Sequence, residues 1–204
     1  KLTTICGIVG YGEVYATALH PDTMTAVIKD VFQRHVYSEN PFNVEMMYRR
    51  VYSSGFTQRP DPTIMGAFSG LEIACWDIIG KSLDKPIWQL LGGKVRNKLR
   101  SYSYLYPALK QNAREFYSSP NLSTDAAIEA SKLGFTAVKF DPAGPYTIYD
   151  GHQPSMANMD LSEKFCKSIR SALGDKIDIL FGTHGQFTAA GAIRLASKIA
   201  QYSP

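Results

Sequence analysis

"IDILFGTHGQFTAAGAIRLA", residues 177–196, decides how the chain is read. An apolar run stops at Gly182, Thr183 and His184, and Thr188 then opens a stretch with Ile193, Ala196 and Ile199 at helical spacing. Polar groups therefore stand where a strand ends and before a helix begins. The same order occurs twice upstream. "FTAVKFD", residues 135–141, precedes a helix expected from about Asp160, with Leu161, Phe165, Ile169 and Leu173 on one face and Gly174 at its end. "LRSYSYLY", residues 99–106, alternates as a strand and precedes a helix with Ala126, Ala127, Ile128 and Ala130 that ends at Gly134. Three successive strand–helix units predict a parallel sheet or barrel. A closed eightfold barrel needs about 250 residues by itself. The chain's 204 residues, shared with a front region, hold three units, and an open parallel edge is avoided by natural folds, so the chain is expected to be part of a larger protein.

The front region reads differently. Residues 1–15 alternate apolar and polar around Gly7, Gly10 and Gly12, which predicts strand, tight turn and strand, with an earlier strand missing ahead of them. Gly10-Tyr11-Gly12-Glu13 lacks the helix and the Lys-Ser/Thr of a phosphate loop, so it is expected to be a structural turn. A helix is expected from Asp22, as its cap, to about Val36, bearing Met24, Val27, Ile28, Val31 and Phe32. Another covers 43–54. A third, Ile64 to Leu83 before Pro86, puts Phe68, Leu71, Cys75, Ile78 and Ile79 on one face, and Ala67, Ser69 and Gly70 let a second backbone approach it.

Composition excludes several classes. With 45% apolar and 20% charged residues the chain resembles an ordinary globular protein, and its net charge of +4 is scattered rather than clustered, which argues against a nucleic-acid partner. Cys6, Cys75 and Cys166 lack metal-site or disulfide spacing and are expected to be buried thiols in a cytoplasmic, reducing setting. No uninterrupted apolar run approaches the roughly 20 residues of a membrane span, and no membrane partner is expected.

In parallel α/β folds ligands meet the carboxyl ends of the strands. Alternation along 137–141 turns Val138 and Phe140 toward the helices and leaves Ala137, Lys139 and Asp141 on the opposite side. A Lys and an Asp two apart on one face would shift each other's proton affinity. They would serve proton transfer or carboxylate binding, or form a structural ion pair. If the extended geometry persists, His184 shares the parity of Leu180 and Gly182 and reaches the same place, as a catalyst or as a hydrogen-bonded structural residue. Gln186 is a substrate donor or a loop residue. The segment Pro142 to Met159, long for such a connection, carries Tyr146, Tyr149 and His152.

"AFSGLEIACWDIIGKSLDKPIWQLLGG", Ala67 to Gly93, closely resembles the signature of the mandelate racemase and muconate lactonizing branch of the enolase superfamily, and "GIVGYGE" resembles the hairpin of that family's capping domain. The resemblance implies an α/β protein: an α+β N-terminal capping domain over 1–93, then, over 94–204, the first three βα units of a modified (β/α)8 TIM-type barrel. It implies abstraction of the proton alpha to a substrate carboxylate, Mg2+ as cofactor, a small carboxylate or sugar-acid substrate, and a homo-oligomer. Family members carry Lys-x-Lys where this chain has Lys139-Phe140-Asp141, which makes a two-base racemase less fitting. Sugar-acid dehydratases similar to galactonate dehydratase lack the second Lys and carry a His-Gly like His184-Gly185, that His protonating the departing hydroxyl. The resemblance thus implies catalytic roles for His184 and Lys139 and substrate contacts from Lys139, Asp141, Tyr146 and Gln186. Gly182 stands where the family has an acidic metal ligand, so no metal ligand is expected in this segment. The alternatives are a racemase, epimerase or lactonizing enzyme of the same superfamily, and a family member without catalytic activity that acts as a binding or structural protein.

Overall fold

A short antiparallel hairpin opens the chain, β1 (Leu2–Thr3) against β2 (Val9–Gly10), with Leu2 opposite Gly10 and Thr3 opposite Val9. The computed structural model describes residues 1–15, 19–141 and 153–204. The chain divides into two compact units, Lys1–Asn97 and Lys98–Pro204.

In the first unit α1 (Pro21–His35), α2 (Val44–Ser54), α3 (Pro62–Leu83) and the short α4 (Ile87–Leu90) surround a core that includes Val31, Met47, Ala67 and Phe68. Each large apolar side chain buried there contributes about 1.5–3 kcal/mol. The cap of α1 is His20, not Asp22: Pro21 takes the first helical position, where its missing N–H costs nothing, and His20 Nδ1 accepts from Asp22 N at 3.4 Å. For the same reason α3 starts two residues before Ile64. Pro62 follows Asp61, whose Oδ1 accepts from Thr63 N at 2.8 Å and Ile64 N at 3.1 Å. Asp84, in the left-handed conformation at φ 52°, ends it.

The small residues of α3 do admit a second backbone. A Cβ built on Gly70 would lie 3.0 Å from Glu13 O, and one built on Gly12 would lie 2.9 Å from Gly70 C. The turn is anchored by Tyr11 N donating to Asp77 Oδ2 at 2.9 Å and Lys81 Nζ donating to Val9 O at 2.8 Å, a structural turn as read. By length and composition α3 could cross a membrane, but half of its most apolar window is buried in this unit, as befits a core helix.

The second unit is a parallel sheet in the order β3 (Ser103–Tyr104), β4 (Ala137–Phe140), β5 (Asp178–Phe181). Between β3 and β4 run the short α5 (Ala113–Phe116) and α6 (Pro120–Lys132); α7 (Met156–Leu173) follows β4, and α8 (Ala189–Ile199) follows β5. Val138 and Phe140 pack with Ala127, Phe165 and Ile169, so the helices lie on the side that alternation assigned them. The regular pairing of β3 covers only two of the eight residues 99–106, although Leu105 N still donates to Lys139 O at 2.8 Å. Ser155, rather than a residue near Asp160, caps α7 by accepting from Asn158 N at 3.2 Å. This early start shortens the connection after β4. Cys75 and Cys166 are buried, and burial pushes their thiols up to about 11 and about 12. Cys6 departs from expectation: it is exposed beside the hairpin, and a hydrogen bond with the Thr4 hydroxyl lowers its pKa.

Candidate functional site

The register of β4 and β5 brings the site together. Lys139 pairs with Leu180 and Phe140 with Phe181, and Gly182 N donates to Phe140 O at 2.9 Å, so the next residues in line, Asp141 and Gly182, are neighbours on the face away from the helices. A Cβ built on Gly182 would collide with Asp141 Oδ1 and lie 3.1 Å from Lys139 Cε. The φ of Gly182 is not in the left-handed region, so what this position requires is space. The carboxylate of Asp141 occupies it.

Beyond Gly182 the chain does not stay extended, which corrects the parity argument for His184. His184 and Gly185 take left-handed φ values of 48° and 68°, and Gln186 N donates to Thr183 O at 3.0 Å. His is among the residues that tolerate this region. The turn folds the imidazole back over the strand ends, where its Nε2 lies 3.0 Å from Asp141 Oδ2. The imidazole side chain is 55% exposed and that of Asp141 only 12%, so the pair has one wet and one sheltered member. Thr188 caps α8 as expected, accepting from Gly191 N at 3.2 Å.

Tyr104 was not expected here. Its hydroxyl donates to the same Asp141 Oδ2, and its ring stacks on Tyr106 with centroids 4.5 Å apart. Lys139 Nζ lies 5.8 Å and 5.7 Å from the ring centres of Tyr102 and Tyr104. Within these distances the ring faces attract the ammonium, each by about 0.5–2 kcal/mol. The signal was present in "YSYLY", because tyrosines two apart share one face of a strand. Tyr117 lies near enough that burial, Tyr106 and Asp141 together raise its pKa.

Lys139 and Asp141 do not form an ion pair with each other: the carboxylate takes Tyr104 and His184, the ammonium lies over the rings. Asp141 Oδ1 is buried without a hydrogen-bond partner among the described residues, an arrangement costing about 1–3 kcal/mol. Gln186 enters through its backbone, and its side chain joins no hydrogen bond among the described residues. Tyr146, Tyr149 and His152 lie outside the described residues.

Residues 1–92 match the family "Mandelate racemase / muconate lactonizing enzyme, N-terminal domain". The chain is 32% identical to the D-gluconate/D-galactonate dehydratase of Picrophilus torridus, over all of this chain and 49% of that protein. It is 30% identical to the D-xylonate dehydratase of Haloferax volcanii, over 99% of this chain and 47% of that one. A crystal structure of a mandelate racemase/muconate lactonizing enzyme from Sulfitobacter sp. superimposes with a TM-score of 0.92 at 58% identity, covering 99% of this chain and 51% of that one. A similar protein from Roseovarius sp. TM1035 gives 0.93, also at 58% identity, with the same coverage. The chain thus spans about half the length of the curated relatives it matches.

Members of the enolase superfamily generally use Mg2+. The described residues do not make a site for it. They contain no group of three or more His, Cys, Asp or Glu side chains that could hold a metal ion, Gly182 offers no ligand, and Asp141 Oδ2 already accepts from two donors. Residues 1–92 thus carry the N-terminal domain of the mandelate racemase/muconate lactonizing enzyme family, and the chain is similar along its length to sugar-acid dehydratases and to structures of that family of the enolase superfamily.

Proposed function

We propose that the chain is part of an acid-sugar dehydratase, in which the second unit supplies the beginning of a TIM-type barrel and its substrate-facing strand ends. One observation carries the reading: Lys139, Asp141 and His184 gather at the carboxyl ends of adjacent parallel strands, on the side away from the helices. The relatives named as sugar-acid dehydratases support it. In this reading the first barrel-like unit begins at residue 94, and Asp141, Tyr146 and Gln186 are polar contacts around a small hydroxylated carboxylate.

Lys139 sits where its charge polarises the substrate carboxylate, which makes the adjacent C–H more acidic. The proton alpha to the carboxylate passes to a base outside the described residues, and its electron pair forms the C=C bond. The C–O bond to the neighbouring hydroxyl breaks as His184 gives that oxygen a proton, so water leaves and the enol becomes a 2-keto acid. His184 suits this role because it is half exposed on a turn and still held at Nε2. Mg2+ held by residues outside those described would supply positive charge to the enolate.

The test is a panel of aldonates offered to the full-length protein with magnesium, following 2-keto acid formation. Turnover that falls by about 10²–10⁴-fold in His184→Gln supports the reading. Conversion without loss of water would favour a racemase or epimerase. Gly182 favours another reading, a protein that binds acid sugars without transforming them, and binding without turnover would establish that one.

A further inference from the structure

Two groups, one from β3 and one from beyond β5, meet at a single oxygen atom at the end of β4. Tyr104 from β3 and His184 from beyond β5 both point at Oδ2 of Asp141, which closes β4. The carboxylate reaches this position over a residue that has no side chain, and any Cβ at 182 would take its place. A hydrogen bond to an ionised carboxylate must be donated to it, since that group only accepts. The geometry points to Asp141 as a positioning residue: clamped by Tyr104 and housed over Gly182, it holds the imidazole of His184 with a proton on Nε2.

This rests on the reading of His184 as the proton donor, and it adds which nitrogen acts. With Nε2–H committed to Asp141, the proton transferred to the leaving hydroxyl comes from Nδ1, and the ring that remains is the Nε2–H tautomer already oriented by the carboxylate. Lys139, whose stem lines the same space, Tyr104 and Tyr117 are ionisable side chains placed around the pair among the described residues. The left-handed turn at His184 and Gly185 fits such a role, because a sparsely populated conformation is kept where surrounding contacts hold it.

The test uses the full-length protein with 15N-labelled histidine, the His184 signals being identified by their loss in His184→Gln. The wild type should show a protected, hydrogen-bonded Nε2–H resonance despite the exposure of the ring. Asp141→Ala should abolish it. Gly182→Ala should do the same without removing any polar group, since its methyl displaces the carboxylate, and Tyr104→Phe should weaken the protection. Should Asp141→Ala fail to fold, the other two variants decide. In the assay for 2-keto acid, Asp141→Ala should lower kcat by about 10²-fold through the misplaced imidazole and raise KM through the lost polar contact. A resonance unchanged in both Asp141→Ala and Gly182→Ala overturns the inference whether or not the protein is a dehydratase. A resonance lost in these variants of a protein that dehydrates no acid sugar upholds the positioning and overturns the proposed reaction instead.

Discussion

In the first unit the hairpin lies on α3 at Gly12 and Gly70; in the second, the ends of β4 and β5 meet at Gly182. Both contacts depend on a missing side chain, but they face different neighbours. A Cβ built on Gly12 would press on the Gly70 carbonyl, and one built on Gly70 on the Val14 side chain and on Glu13 O. One built on Gly182 would press on the ends of two side chains, Asp141 and Lys139. Backbone inside a helix cannot step aside, whereas a carboxylate can rotate. The first use of glycine is architectural, and the second makes room for a functional group.

Gly12→Ala should therefore have the largest effect on stability. Forcing a methyl into a packed backbone contact costs about 3 kcal/mol, readable as a lower denaturation midpoint of the first unit. Equal stability in Gly12→Ala would break the comparison. Asp61→Ala comes next, at about 1 kcal/mol, because the two N–H groups at the start of α3 lose their acceptor. Gly182→Ala should cost less than about 1 kcal/mol, since only flexible groups must move, while still disturbing His184. A large loss of stability there would erase the contrast.

The smallest effect concerns Asp77, which joins the hairpin to α3. The Lys81 ammonium and then the Tyr11 N–H hold its carboxyl below the usual Asp range. A depressed folded pKa contributes stability above the unfolded value near pH 3.8, and that contribution is lost as pH falls through the folded pKa. Asp77→Asn should be less stable than wild type near pH 6, with the gap closing toward pH 2. A gap constant with pH would remove the charge from the explanation.

Much of the architecture was legible in particular residues. Val138 and Phe140 declared the helix side of β4, and Phe68, Leu71 and Cys75 declared the buried face of α3, because burial imposes the strand and helix periods. Helix starts were read less well. Pro21 and Pro62 occupy first-turn positions that apolar spacing does not reveal, so His20 and Asp61 were missed as caps. At the site, Lys139, Asp141 and His184 were found from their places at strand ends. Tyr104 was not, because a tyrosine in an alternating strand looks the same whether its hydroxyl meets water or a carboxylate. Nor could spacing show that Lys139 and Asp141, though on one face, form no ion pair with each other.

The strand–helix order, the faces of the elements and the resemblance to a known capping domain follow from local periodicity and contiguous motifs. Only the tertiary structure decided that Asp141 lies over Gly182, and that Tyr104 and His184, 80 residues apart by their numbers, meet on one oxygen. The physical reason is register. Which residues become neighbours across parallel strands depends on how the helices pack behind the sheet and on how the chain turns after β5, and neither is encoded in the spacing of any one segment.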